Sequence, residues 1–200
     1  ARWFERVAAH IPPEDIPGER RCLEWDSTSY SRHFFAKHCS RFDHIAYNGE
    51  QAYMEENEKG NRRYVVDVHK AHELVPAKSV GLLVCSQVFE HLRNPHIAME
   101  QVYRFMAPGG YVVWSAPMFS ELHGAPEDYY RYTVMGARVL AEDAGFHVVG
   151  NYAPGDLREL AGYLVGITGV YWDKEDLLQE SGSNWPLQIY MLLYKFPEDS

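Results

Sequence analysis

The sequence predicts an α/β fold in which a mostly parallel sheet of seven strands is covered by helices on both faces. Short apolar strand patterns alternate with helical ones along the chain, the order expected of βαβ units. Residues 82–85, Leu-Leu-Val-Cys, are apolar without alternation, as a strand buried on both faces should be. Residues 79–117 read as a buried strand, a polar-tipped turn, an amphipathic helix, a Pro-Gly-Gly stop and a second buried strand.

In chain order, residues 2–11 form an amphipathic helix with Trp3, Phe4, Val7 and Ala8 on one side, broken by Pro12, Pro13, Pro17 and Gly18. Residues 21–25 make the first strand, and Asp26-Ser27-Thr28-Ser29 offers an N-cap for a helix running to about Cys39. The second strand covers 42–47, with Asn48-Gly49 as its turn; a short helix near 51–57 precedes the third strand, 63–68. After the strand at 82–85, Met99, Val102, Tyr103 and Met106 recur at helical spacing until Gly109 and Gly110 end the helix. The fifth strand is 111–115. A loop over 118–132 and a helix over 134–144 follow, closed by Gly145. The sixth strand is 146–149, Asp156 caps a helix with a stripe of Leu157, Leu160, Ala161 and Leu164, and the last strand is 188–196. In such sheets ligands gather beyond the carboxyl ends of the strands, so the candidate site is the set of turns after strands one to five.

Two hundred residues with 46% hydrophobic content suit one domain: residues 1–19 as an N-terminal helix and connection, 20–150 as the core, and 151–200 as the C-terminal helix and last strand. A formal charge of −9 argues against nucleic acid or an anionic membrane as the main partner. No apolar run approaches the roughly 20 residues of a membrane span, and a signal peptide is not visible, although a processed leader stays open. Of the three cysteines, Cys22 and Cys85 lie in apolar strand patterns and read as buried free thiols, which points to a reducing, cytoplasmic compartment.

Five blocks carry a resemblance. They are Tyr64-Val65-Val66-Asp67-Val68-His69; Cys85-Ser86-Gln87-Val88-Phe89-Glu90-His91-Leu92; Asn94-Pro95; Met106-Ala107-Pro108-Gly109-Gly110-Tyr111; and Ala116-Pro117. In that order and spacing the chain resembles a class I S-adenosylmethionine (SAM)-dependent methyltransferase of the small single-domain type 11 group, over roughly residues 20 to 150. Residues 123–133, His-Gly-Ala-Pro-Glu-Asp-Tyr-Tyr-Arg-Tyr-Thr, resemble the substrate-side loop of many members. The resemblance implies a Rossmann-like methyltransferase fold, SAM as cofactor and S-adenosylhomocysteine as product. It places Asp67 at the adenine amino group with Val68 and His69 beside the ring, and Ser86 and Gln87 at the methionine portion. Glu90 and His91 then lie close to where the methyl would point; capping of that turn is the other reading of His91.

The chain departs from the family at the first strand, which normally ends in Glu-x-Gly-x-Gly-x-Gly. Glu24 keeps the acidic position, while Asp26, Thr28 and Tyr30 stand where the glycines would be. Ser27, Thr28 and Ser29 could present hydroxyl and amide donors to the cofactor's carboxylate at a helix start, with Asp26 or Glu24 holding its ammonium or ribose and Trp25 beside them. Asn48 takes the place of the ribose-binding acid after strand two. On the other reading the turn is only an N-cap and cofactor binding is lost.

Methyl transfer from a sulfonium is an in-line displacement, to which a base contributes when the acceptor must shed a proton. His123 is the candidate base, with Asp128 orienting it, and Tyr129, Arg131 and Tyr132 are candidates for binding the acceptor; the alternative is that Arg131 pairs with Asp128 and the tyrosines pack the loop. The expected acceptor is a small molecule methylated at oxygen, with nitrogen or carbon open. A non-catalytic, methyltransferase-like scaffold is the alternative. The run Asp67-x-His69-x-x-His72 lacks a third firm ligand, so no metal is assigned. Residues 171–176, Tyr-Trp-Asp-Lys-Glu-Asp, form an acidic aromatic insertion suited to covering the site or to a homodimer or partner-subunit contact.

Overall fold

The computed structural model describes residues 2–25, 30–47, 52–124, 127–166 and 184–197. The elements follow as α1 (Arg2–His10), a one-turn α2 (Pro17–Arg20), β1 (Arg21–Trp25), α3 (Tyr30–Phe35), β2 (Arg41–Ala46), β3 (Tyr53–Glu56), β4 (Arg62–Val65), β5 (Val80–Ser86), α4 (Pro95–Phe105), β6 (Met106–Pro117), α5 (Val134–Asp143), β7 (His147–Tyr152), α6 (Leu157–Leu164) and β8 (Gln188–Tyr194). The strands form one sheet in the order β3-β4-β2-β1-β5-β6-β8-β7. β4, β2, β1, β5 and β6 are parallel; β3 is antiparallel to β4, and β8 to both β6 and β7.

Both faces of the central strands are buried, which is why they are apolar throughout. Successive side chains point to opposite faces. Leu23, Trp25, Leu83, Cys85, Val112 and Trp114 join the core that includes α4 and α5, whereas Cys22, Leu82, Val84 and Val113 join the one that includes Phe4, Val7 and Phe35. One group of charged residues inside this sheet is well paired. Asp43 is fully buried, and its carboxylate accepts from Arg21 Nε at 2.5 Å, Arg41 Nε at 3.2 Å and the Arg62 amide at 2.7 Å. Arg21 also donates to the Tyr64 hydroxyl. One carboxylate therefore joins β1, β2 and β4.

The α/β class is as the sequence predicts, but several elements differ. The sheet has eight strands rather than seven, because the segment read as a helix at 51–57 supplies β3. Asn57 Oδ1 accepts from the Lys59 and Asn61 amides, and Gly60 takes φ +75°, closing a hairpin onto β4. Glu56 and Glu55 then pair with Arg62 and Arg63 across the strands, a charged edge that resists further pairing. The third parallel strand stops at Val65, since Asp67 caps a 3₁₀ helix at Val68–Glu73 by accepting from the His69 amide.

The helix after Pro95 ends at Phe105, ahead of Gly109 and Gly110, which lie within β6. The Lys195 ammonium, brought in by the end of β8, donates to the carbonyls of Tyr103 and Met106 at 2.7 and 2.9 Å and so caps the helix early. On α6 the Asp156–Glu159 capping box forms, but Leu157 and Leu164 are exposed and only Leu160 and Gly162 are buried. Its entry is set by Gly155, where a Cβ would lie 2.6 Å from the Leu187 amide nitrogen.

The cysteine reading is also corrected. Cys22 and Cys39 are joined in a disulfide with Cα atoms 5.6 Å apart, and Cys85 is buried and outside that disulfide. Residue spacing could not reveal this, because the return from α3 to the foot of β1 depends on Arg20 donating to the His38 carbonyl and on Ser40 N donating to Arg20 O. The pairing removes the argument for a reducing compartment that rested on free thiols. Among the described residues, no helix is long and apolar enough to cross a membrane.

If Asp43 holds three segments together, Asp43→Ala should cost about 3–5 kcal/mol, the usual penalty for orphaning a buried ionic partner. Urea denaturation followed by tryptophan fluorescence would measure it, and a loss within 0.5 kcal/mol, roughly the scale of a surface substitution, would refute that role.

Candidate active site

The chain runs outward from β1 through β2 to β4 and then returns to place β5 on the other side of β1. The carboxyl ends of β1 and β5 therefore bracket the crevice where strand order reverses, the usual ligand position in an open α/β sheet. A cavity of about 810 Å³ lies there, a size typical of small-molecule and cofactor sites. Trp25 from β1, Ile45 from β2 and Val66 form its apolar wall, and Asp67, Val68, His69, Gln87 and His91 line it with polar and apolar groups together.

Seven of the residues singled out from sequence thus meet at one cavity: Trp25, Asp67, Val68, His69, Gln87, His91 and Tyr129. Asp67 Oδ1 lies 2.6 Å from His69 Nδ1 and 3.0 Å from the His69 amide, while His69 Nε2 accepts from the Asn94 amide at 3.3 Å. His72 instead bonds Gln101 and does not join Asp67 and His69. Glu24 is buried in β1 and Ser86 is hydrogen-bonded to Ser115 at 2.8 Å; neither lines the cavity. Asp26, Ser27, Thr28 and Asn48 lie outside the described residues, as does the acidic aromatic insertion at 171–176.

Gln87 holds a left-handed backbone, φ +57°, unusual for a residue with a Cβ. Its amide donates to Ser115 O, and its side-chain amide to Ser115 Oγ and Gln188 Oε1 at 3.2 and 2.9 Å. These bonds over-determine the conformation at the mouth of β5, a common signature of a functional turn.

Past Gln87 the chain enters a 3₁₀ turn, Phe89–His91, rather than the helix itself. Its Glu90 side chain is fully buried, with neither carboxylate oxygen hydrogen-bonded. Burial raises the Glu90 pKa, offset in part by its own backbone amide and by the imidazoles of His91 and His123. Oε1 lies 3.8 Å from His91 Nε2 and 3.6 Å from His123 Nε2, and the two rings meet edge to face at 5.0 Å. His91 Nδ1 faces the Glu127 carbonyl at 2.7 Å; His123 Nδ1 faces the Glu121 carbonyl at 3.0 Å, with Asp128 Oδ2 at 3.4 Å. Sequence reasoning gave Glu90 no role of its own. The only signal was a Phe-Glu-His turn following a fully apolar strand, which obliges the acid to sit at the edge of the core.

The loop carrying His123 is clamped in place. Arg131 grips Asp128 with two bonds, 2.5 and 2.7 Å, and donates to the carbonyls of Ser120, Glu121 and Tyr130. This pairing and the His123 amide hold the Asp128 carboxyl well below the usual carboxylate range. The Tyr129 and Tyr130 amides donate to Glu90 O, tying the loop to the β5 turn. Arg131 is therefore spent on the loop. Tyr132, 7% exposed, packs on Trp114 and donates to Phe89 O. Tyr129 alone of the three expected acceptor-binding residues lines the cavity.

The family model of a methyltransferase domain, family 23, matches residues 3–149. No curated protein sequence matches the chain at a significant level. Among solved structures, an S-adenosylmethionine-dependent methyltransferase from Mesorhizobium loti is 15% identical with a TM-score of 0.60, covering 98% of each chain. The methyltransferase structure solved with the Trm112 methyltransferase activator of Haloferax volcanii gives 15% and 0.62, over 98% of this chain and 90% of that one. The 1,6-didemethyltoxoflavin-N1-methyltransferase of Burkholderia thailandensis, with 1,6-didemethyltoxoflavin and S-adenosylhomocysteine bound, gives 11% and 0.60, over 97% and 79%.

A clamp role for Arg131 is separable from acceptor binding. Arg131→Lys cannot reproduce the forked contacts and should destabilise the fold by about 1–3 kcal/mol while exposing residues 118–133 to limited proteolysis. An unchanged unfolding midpoint and cleavage pattern would return Arg131 to the acceptor-binding candidates.

Proposed function

This chain belongs to the class I S-adenosylmethionine-dependent methyltransferases, through the methyltransferase domain matched over residues 3–149, and we propose that it methylates a hydroxyl of a small molecule. The observation that carries this reading is a single cleft with two chemically different ends. At one end Ile45, Val66 and Val68 offer apolar walls beside the Asp67 carboxylate; the other end adjoins Glu90, His91 and His123.

The cofactor's chemistry is an electrophilic methyl on a sulfonium, leaving S-adenosylhomocysteine as product. The residues present suit such a group. Asp67 spends Oδ1 on His69 and keeps Oδ2 to accept from an adenine amino group. Trp25 and Val66 close the cavity floor against water, and Gln87 is pinned where its backbone borders the methionine portion. Asp26, Ser27, Thr28 and Asn48 are assigned to the cofactor by the family resemblance alone.

The acceptor enters past Tyr129 and presents its oxygen to His123, whose ring is fixed through Nδ1 and whose Nε2 faces Glu90. His123 and its neighbours serve to make loss of the acceptor's proton possible, which a hydroxyl needs before it can displace a thioether. The geometry of that loop, held by the Arg131–Asp128 clamp, supplies orientation.

Calorimetric titration with SAM and S-adenosylhomocysteine tests the cofactor end. Asp67→Asn retains the cap through its carbonyl oxygen but replaces the other acceptor with a donor, so S-adenosylhomocysteine should bind about 1–3 kcal/mol more weakly. Equal affinity in a folded variant contradicts the adenine assignment, and no binding by the wild type at millimolar ligand contradicts the enzyme reading.

A further inference from the structure

We propose that Glu90, His91 and His123 form a site for one divalent transition-metal ion of the Zn²⁺ type at the acceptor end of the cleft. One carboxylate oxygen and the two imidazole nitrogens all lie within 4.8 Å of one another. Glu90 Oε1 is 3.8 Å from His91 Nε2 and 3.6 Å from His123 Nε2. Ligands about 2.0–2.1 Å from a tetrahedral ion stand about 3.3 Å apart, so small side-chain shifts close the site.

The charge arrangement gives the stronger reason. A carbonyl oxygen only accepts, so the bonds from His91 Nδ1 to Glu127 O and from His123 Nδ1 to Glu121 O place a hydrogen on each Nδ1. Each ring thereby turns Nε2 toward Glu90, and in its neutral form presents that nitrogen's lone pair there. The carboxylate they face is fully buried, and neither of its oxygens has a hydrogen-bond donor. Three potential ligand atoms converge on one small volume. A divalent cation satisfies all three at once, its histidine ligands being neutral.

The surroundings match a metal centre as well. Metal-bound histidines are usually oriented by a carbonyl or carboxylate on the other ring nitrogen; here these are Glu127 O and Glu121 O, with Asp128 Oδ2 3.4 Å from His123 Nδ1. Two imidazoles and one carboxylate favour Zn²⁺, Fe²⁺ or Ni²⁺ over Mg²⁺ or Ca²⁺. Three protein ligands leave a position open, the pattern of catalytic rather than structural sites. His91 lines the cavity, which gives that position access to the cleft. The ion's part in catalysis, Lewis-acid assistance to an acceptor hydroxyl as it loses its proton to solvent, rests on the methyl-transfer reading. Ion binding itself does not.

The test uses the untagged full chain, stripped with chelator, titrated with Zn²⁺ by calorimetry and with Co²⁺ by visible absorption. One equivalent should bind, and Co²⁺ should give ligand-field bands. Loss of an outer-shell partner weakens metal affinity about 10–100-fold, so loss of a ligand in Glu90→Gln or His123→Ala should cost at least about tenfold. His72→Ala, whose ring pairs with Gln101, should change nothing. If Glu90→Gln does not fold, the His91→Ala/His123→Ala double variant carries the comparison. Absence of stoichiometric binding, or equal affinity in wild type and double variant, overturns the site. Titrating the metal-free protein with S-adenosylhomocysteine reports separately on the methyltransferase reading.

Discussion

The turn that follows β5 organises the functional half of the molecule, because it must bury a carboxylate. The strand before it is apolar on both faces, and Phe89 is held in the core between Trp25 and Trp114, at ring separations of 5.9 and 5.8 Å. Glu90 follows directly and has no path to solvent. Its backbone carbonyl draws in the amides of Tyr129 and Tyr130, and its side chain faces His91 and His123. A loop far away in sequence is thereby pinned over the end of β5. The cleft exists as a two-ended site because of that attachment.

The second constraint is the sheet beneath. Asp43 fastens β1, β2 and β4 by charge-assisted bonds, so the strand ends that border the cavity are held in register by a group with no access to water. Such a buried ionic cluster contributes less to net stability than to uniqueness of arrangement, since its partners are of use only in one register. Gln87 shows the same logic on a smaller scale. Its left-handed backbone is kept by the neighbouring strands β6 and β8, through Ser115 and Gln188.

Charge in the cleft is distributed unevenly. Asp67 sits at the partly exposed end and is matched by His69, while Glu90 is buried at the other end, facing His91 and His123. Arg131, the cation closest in sequence to the loop's histidine, is directed away from ligand and into the loop's own carbonyls. The result is a mouth whose polar groups are preorganised rather than mobile, which suits positioning chemistry.

The sequence by itself determined the α/β class and the parallel core, because two-sided burial and helical periodicity are local patterns. It also brought Trp25, Asp67, Val68, His69, Gln87 and His91 to one cavity, since each follows or ends a strand whose direction the βαβ order sets. One miss was local: the Asn57–Asn61 turn that folds 53–56 onto β4 as a strand ends the segment read as a helix. What the sequence could not decide were the features made by segments distant along the chain. The early end of α4 needs Lys195 from the last strand, and the Cys22–Cys39 bond needs α3 to return to the foot of β1. Arg131 and Tyr132 read as ligand-binding residues until the loop's carbonyls and the Phe89 carbonyl are seen to occupy them. Glu90 looked like one acid in a helix start. Only the tertiary structure set two imidazoles against it and buried the acid itself, where an unpaired carboxylate is costly.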